Sequence, residues 1–296
     1  MPFLGEISAL ITALLWAFTS IIFTEASLRI GSVQLNINRL IVALTFLTIT
    51  VFVFGLNYNL AQEQYLFLAI SGLVGLAIGD GFLFKSFQTI GARFSMLIMS
   101  LVPGIAALLG YFFLNESLSF QTIIGMIITV GGVSIVVLEK NNGNNARFKM
   151  TKIGFFYGFM GAVCQAGGLI LAKEAFNIGE INGFVATFVR ILTSVLFMLP
   201  FLLIIGRYKN PVKLYRKDLK SLALTVAGSV VGPFLGITFS LIAISNTKVG
   251  IASTLMSTTP ILLLPIIRIL YKERIPFLGI VGAVVAVLGV AVLFLS

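Results

Sequence analysis

Asp80 is the sharpest chemical feature of this 296-residue chain, a lone carboxylate in the apolar, glycine-rich run GLAIGDGFLF. A charge placed in such a run costs at least ~2.5 kcal/mol on membrane-insertion scales, and intramembrane charges therefore tend to mark function. Here the carboxylate can carry a proton for ion coupling or bind a cationic substrate group. It can also serve as a structural partner of Lys85 or an arginine. Arg39 and Arg190 each stand near the start of an apolar run and are expected on opposite sides of the membrane. They suit steering or binding of an anion, or snorkelling to the interface with Glu25 and Glu174 as partners. A third group is polar but uncharged. Thr12, Trp16, Thr19, Ser20 and Phe23 share one helical face, and a mixed aromatic and hydroxyl stripe suits an amphipathic substrate or helix packing. Ser95, Met99 and Ser100 precede Pro103, and Ser253, Met256 and Ser257 precede Pro260. A proline inside a helix frees a backbone carbonyl one turn earlier. Within a membrane such a break is tolerated beside satisfying neighbours or a water-filled cavity. The two helix breaks therefore mark the expected binding cavity.

Enzymatic readings fail on inventory. The chain has no histidine and one cysteine, Cys164, so there is no Ser-His pair, no HExxH and no metal cluster. Ala77-Ile78-Gly79-Asp80 approaches the GxGD of intramembrane aspartyl proteases but lacks its first glycine, and no second aspartate lies in an apolar run to complete a dyad. No GxxxxGK[ST] run is present. The expectation is a chain that is not an enzyme, with no cofactor and no metal.

The elements that must position these residues come twice. The stretch GARFSMLIMSLVPGIAALLGYFFLNESLSFQTIIGMIITVGGVSIVVL at 91–138 aligns without a gap on KVGIASTLMSTTPILLLPIIRILYKERIPFLGIVGAVVAVLGVAVLFL at 248–295. Pro103 falls on Pro260, Glu116 on Glu273, Gly125 on Gly282 and Gly132 on Gly289. Upstream, Gly75 and Gly79 fall on Gly232 and Gly236, which sets Asp80 against Ile237. Arg39 corresponds to Arg190, and Trp16 to Gln165, an amide that joins the candidate binding residues. A repeat of this length governs the fold. The expected units are 1–140 and 153–296, separated by the basic polar linker 141–152.

Composition gives the class. Residues are 58% apolar and 10% charged, against about 25% charged in soluble domains. Ten apolar runs can cross a ~30 Å hydrocarbon core: roughly 4–23, 35–54, 66–84, 92–114, 119–138, 153–172, 183–205, 219–244, 249–270 and 275–295. The expected fold is an all-α polytopic membrane protein with ten transmembrane helices in two five-helix repeats. Five is odd, so the second repeat enters upside down, an inverted-topology plan common among secondary transporters. The net charge of +10 does not point to nucleic acid, because the basic residues lie between apolar runs. Connections 1, 3, 5, 7 and 9 hold Arg29, Lys85, Arg93 and the clusters around 140–152, 207–220 and 272–274. The even connections hold only Lys173 and Lys248. By the positive-inside rule both termini are then extracytoplasmic in a multi-pass cell-membrane protein.

In order and doubling, these motifs make the chain similar to EamA-type members of the drug/metabolite transporter superfamily. The resemblance rests on Trp16, the Arg39 and Arg190 pair, GDGFLFKSFQTIGA, and the blocks Pro103–Glu116–Gly125 and Pro260–Glu273–Gly282. It implies a central cavity, alternating access, and export or exchange of small metabolites such as amino acids or amphipathic drug-like compounds. The partners so implied are a small-molecule substrate, the lipid bilayer and a proton or counter-substrate, with the chain a monomer or homodimer. The competing expectations are a passive channel or facilitator, and a non-transporting receptor or scaffold.

Overall fold

The computed structural model describes residues 3–114, 119–138, 148–246, 252, 255–271 and 277–294. The described residues form helices and contain no strand. In the first repeat, α1 (Leu4–Ile30) and α2 (Ser32–Val53) are joined by Gly31 alone. Its φ of 88° lies where a Cβ would be strained, so one glycine reverses the chain. Both helices are longer at this end than the sequence suggests, and Glu25 lies inside α1. α3 (Gln62–Gly72) runs into a π-helical turn, Leu73–Gly79, and then α4 (Asp80–Met99), which bends at Gly91 with φ 74° and ψ 172°. α5 (Val102–Leu114) and α6 (Phe120–Leu138) follow. The second repeat holds α7 (Lys152–Ile178), α8 (Gly183–Ile204), the short α9 (Pro211–Lys217), α10 (Leu219–Ser229), a second π-helical turn at Val230–Gly236, α11 (Ile237–Asn246), α12 (Thr259–Tyr271) and α13 (Phe277–Phe294).

Among the described residues, six helical stretches are long and apolar enough to cross a membrane: Leu4–Ile30, Ser32–Val53, Gln62–Met99, Lys152–Ile178, Gly183–Ile204 and Leu219–Asn246, with shorter apolar helices at Ile123–Ile135, Thr259–Leu270 and Phe277–Val292. The chain is a multi-pass membrane protein. One expected span, 92–114, is not continuous: the helix stops at Met99, turns through Ser100 and Leu101, and restarts at Val102. Pro103 denies the ladder an N–H one turn beyond the stop. Large apolar side chains face outward, Ile204 at 84% exposure and Phe112 at 70%, as lipid contact allows. Inside, Ala9, Ala13 and Ala17 are fully buried along one stripe of α1, and small residues at that spacing let neighbouring helices close in.

The helices pack by a pseudo-twofold rule. α2 lies on its repeat mate α8, and α6 on its mate α13. α4 packs on α7 as α11 packs on α1, and α3 packs on α8 as α10 packs on α2. This reciprocal pattern is that of an isologous interface. Close crossings serve it: a Cβ on Gly132 would stand 2.3 Å from the backbone N of Ala286, and one on Gly289 2.4 Å from that of Thr129.

The two π turns are repeat mates. Asp80 donates its N–H to the Gly75 carbonyl and Ile237 to the Gly232 carbonyl, one residue farther back than in an α-helix. Such widened turns recur at functional sites. Here the widening presents carbonyls sideways. Asn36 Nδ2 donates to Leu76 O at 3.2 Å and Ala77 O at 3.0 Å, and Gln165 Nε2 donates to Gly75 O at 3.2 Å.

The two ends of the helix bundle differ. At one end a polar clasp joins the repeats. Arg29 pairs with Asp218 at 2.9 Å, Gln34 exchanges hydrogen bonds with the Lys209 backbone at 3.0 and 2.8 Å, and Asn38 donates to Tyr215 Oη at 2.8 Å. The Arg29 hydrogen bond, aided by the Ser221 N–H, holds the Asp218 carboxyl below the usual carboxylate range. A lowered value means the contribution is complete above the unfolded pKa and fades as pH falls through the folded one. At the other end Gln64 Nε2 donates to Ala175 O and Gly179 O, beside a polar vestibule of about 960 Å³ that includes Asn57, Lys173, Asn177 and Asn246.

Candidate functional site

A cavity of about 160 Å³ lies between the repeats. α1 contributes Trp16, Thr19, Ser20 and Phe23, and α2 contributes Arg39. The first π turn and α4 add Leu76, Asp80, Phe84, Phe87, Met96 and Met99. From the second repeat come Gln165, Arg190, Pro233, Ile237 and Ser240. Both helix breaks reach it: Ser100 and Pro103 from one, Met256, Ser257, Thr259 and Pro260 from the other.

Asp80 is the hub. One carboxylate oxygen takes a hydrogen-bonded ion pair from Arg39 Nη2, and the other accepts from Gln165 Nε2 at 2.6 Å. Asn36 Oδ1 receives two further bonds from Arg39, 3.1 Å from Nε and 2.9 Å from Nη2. The Phe84 ring lies 4.6 Å from the guanidinium carbon and the Phe23 ring 5.7 Å, within range of cation–π attraction. Arg39, Asp80 and Arg190 are 3%, 5% and 4% exposed. Arg190 differs from Arg39 in one respect: its Nε is buried without a hydrogen-bond partner. Two guanidiniums therefore face the cavity against one carboxylate.

The hydroxyls of the wall spend their protons locally. Thr19 donates to Leu15 O at 2.7 Å, Ser20 to Ala17 O at 2.8 Å, Ser100 to Leu97 O at 2.6 Å and Thr259 to Met256 O at 2.7 Å. Each keeps lone pairs to offer as an acceptor.

Several expectations need correction. Of the two partners offered for Asp80, Lys85 is exposed and reaches Gln88 Oε1 at 3.5 Å, and it is the arginine alternative, as Arg39, that pairs with the carboxylate. Arg39 and Arg190 do not stand on opposite sides at the interface. Each lies seven residues into its helix, about 10 Å at 1.5 Å per residue, and both line one cavity. Ser95 lies outside the cavity lining, fully buried and bonded to Ser86 Oγ at 2.7 Å. Thr12 is also absent from the lining, and its hydroxyl bonds Ser8 O. Ser253, Glu116 and Glu273 lie outside the described residues. The sequence reading missed Asn36, Phe84, Ser240 and both π turns. Asn36 left one signal, an amide one turn ahead of Arg39 on the same helical face.

The model of the EamA-like transporter family matches residues 3–138 and 152–295. A stretch of 121 residues is 26% identical to an uncharacterized transporter, YxxF, of Bacillus subtilis strain 168; it amounts to 41% of this chain and 37% of that protein. The chain thus matches little more than a third of that relative's length. A solved crystal structure superposes with a TM-score of 0.70 at 16% identity, covering 98% of this chain and 96% of that one, a likeness of fold.

Proposed function

The chain belongs to the EamA-like transporter family, and on that premise we propose that it is a secondary active transporter of small metabolites working by alternating access. The observation that carries this reading is the cavity itself. It lies between repeat-related halves, is touched by a helix break from each, and holds a buried ion pair where the halves meet. Rocking one half against the other around such a site exposes it to each side in turn. Export or exchange of amino-acid-like or amphipathic compounds fits a wall of aromatic and thioether groups interleaved with hydroxyls, an amide and charged groups. Reconstituted protein should show saturable uptake that is stimulated by substrate on the far side of the vesicle. Unitary currents in planar bilayers, without trans-stimulation, would replace this reading by a passive channel.

The proposal includes ten spans in two inverted repeats with both termini outside. Its support is the odd helix number per repeat and the placement of Lys and Arg in the odd connections. A phosphatase fused after Ser296 is expected to be active in the extracytoplasmic space. A fluorescent cytoplasmic fusion at the same position overturns the orientation.

A further inference from the structure

We infer that the transported substrate carries a single negative charge and that the Arg190 guanidinium receives it; the inference rests on the transporter reading above and narrows it. The argument comes from comparing the two copies of one cluster. In the first copy Arg39 has two acceptors, the Asn36 amide oxygen and the Asp80 carboxylate. The repeat mates of these three residues are Arg190, Thr187 and Ile237. Both acceptors have been exchanged. Thr187 donates its hydroxyl to Gly183 O at 2.8 Å and takes a contact from Thr238 at 3.2 Å. Ile237 has no polar atom to give. The arginine is present in both copies but its two acceptors in only one, and the Arg190 Nε has no hydrogen-bond acceptor in a site only 4% exposed.

An unpaired cation inside a membrane protein is costly and needs a partner. Wall hydroxyls can accept a hydrogen bond, but the described lining offers no second carboxylate. Asp80 is the one acid among the described lining residues; its field reaches Arg190, but its two oxygens accept their hydrogen bonds from Arg39 and Gln165. The described lining therefore carries one net positive charge. A carboxylate, or a phosphate monoester in its singly ionised form, entering the cavity supplies the acceptor that the second repeat lacks, with the forked geometry that guanidinium favours. The rest of the wall, with Trp16, Phe84, Phe87, Met99 and Met256, suits an apolar body. The ligand class is a small amphipathic anion. A zwitterion fits less well, because no free carboxylate waits for its ammonium group.

Trp16 is the chain's only tryptophan and forms part of the cavity wall, so its emission reports occupancy directly. Purified protein is titrated with phenylacetate, phenylacetamide, phenethylamine and phenylalanine, then with 4-methylpentanoate and phenyl phosphate. Phenylacetate is expected to change the emission saturably and to bind at least tenfold more tightly than its amide. Phenyl phosphate separates a phosphate-preferring site from a carboxylate-preferring one. Arg190→Gln should weaken the acids at least tenfold, and Arg190→Lys, which keeps charge but not the fork, should fall between. Asp80→Asn removes the competing anion and should preserve or tighten acid binding, whereas a site for cations would lose its ligand. Folding is checked by gel filtration and circular dichroism. If Arg190→Gln does not fold, acid-over-amide selectivity in the wild type and the response of Asp80→Asn decide. Equal binding of acid and amide, unchanged binding by folded Arg190→Gln, or no response to any of the acids overturns the inference. Arg190-dependent binding without flux in vesicles would instead remove the transporter reading and leave only the Arg190 anion site standing. Flux of a neutral solute with no acid binding would do the reverse.

Discussion

Concentrative transport by Asp80→Asn is expected to fall at least tenfold while the protein still inserts. The carboxylate holds Arg39 and Gln165 together across the two repeats, and it is the acidic group of the cavity lining. Removing one partner of a buried pair generally costs roughly 3–5 kcal/mol, so a lower melting temperature should accompany the loss. The remaining bonds from Arg39 to Asn36 and the Phe84 ring soften that cost. Counterflow exchange separates the possible roles. If Asp80 only carries the coupling proton, exchange survives in part. If it positions both halves of the cavity, exchange and accumulation fail together. The double variant Arg39→Gln with Asp80→Asn turns the pair neutral and should recover much of the lost thermal stability. Concentrative transport at the wild-type rate by Asp80→Asn would leave the carboxylate with no role beyond packing.

The second large effect belongs to Gly72. A Cβ at this position would stand 2.2 Å from the backbone oxygen of Arg190. Backbone cannot rotate out of the way as a side chain can, so α3 and α8 must separate. Overpacking of this kind costs typically 1–3 kcal/mol and sometimes more. It also moves Arg190, whose side chain faces the cavity from the same stretch of α8. Gly72→Ala is expected to lower both melting temperature and transport. Gly131→Ala is the matched control. It too adds a methyl to a glycine inside a helix, yet nothing lies within 4 Å of its Cβ. That variant should be neutral or slightly more stable, since alanine is the better helix former. Equal behaviour of the two variants would show that the α3–α8 crossing tolerates a wider spacing.

What the sequence made legible was whatever the repeat or the local backbone specifies. The alignment of Trp16 with Gln165 placed two residues that do line one cavity, and the Met-Ser pairs ahead of Pro103 and Pro260 located real interruptions of the helices. The sequence left the partner of Asp80 open between Lys85 and an arginine it did not name. Arg39 and Asp80 are 41 residues apart and meet only because α2 and α4 pack, while Lys85, five positions from Asp80, is the nearer candidate on paper. The depth of Arg39 was misjudged because Gly31 makes a one-residue connection, so α2 starts at Ser32 and carries Arg39 inward, whereas α8 starts at Gly183 as expected and Arg190 lies seven residues in. The π turns left a trace in the Gly75–Gly79 and Gly232–Gly236 spacings. That pattern also serves ordinary helix crossing, and here it does both: a Cβ on Gly232 would meet Thr19 at 2.7 Å.

The reciprocal packing of the two repeats has a consequence for the chain as a whole. α2 finds its neighbour in α8, α6 in α13, and α4 in α7, so much of what one repeat buries is buried by the other. Neither copy owns a complete interior. Released alone, a single copy would strip Ser71 and Gln64 of the Gly168 and Ala175 carbonyls and Asp80 of the Gln165 amide, all three of which belong to the other copy. The molecule is therefore held together as a pair of subunits is, by an interface that doubles as its core. Joining the copies in one polypeptide raises their effective concentration and fixes their one-to-one ratio. It also frees each to change without the other, which is how an aspartate can face an isoleucine across a symmetry axis.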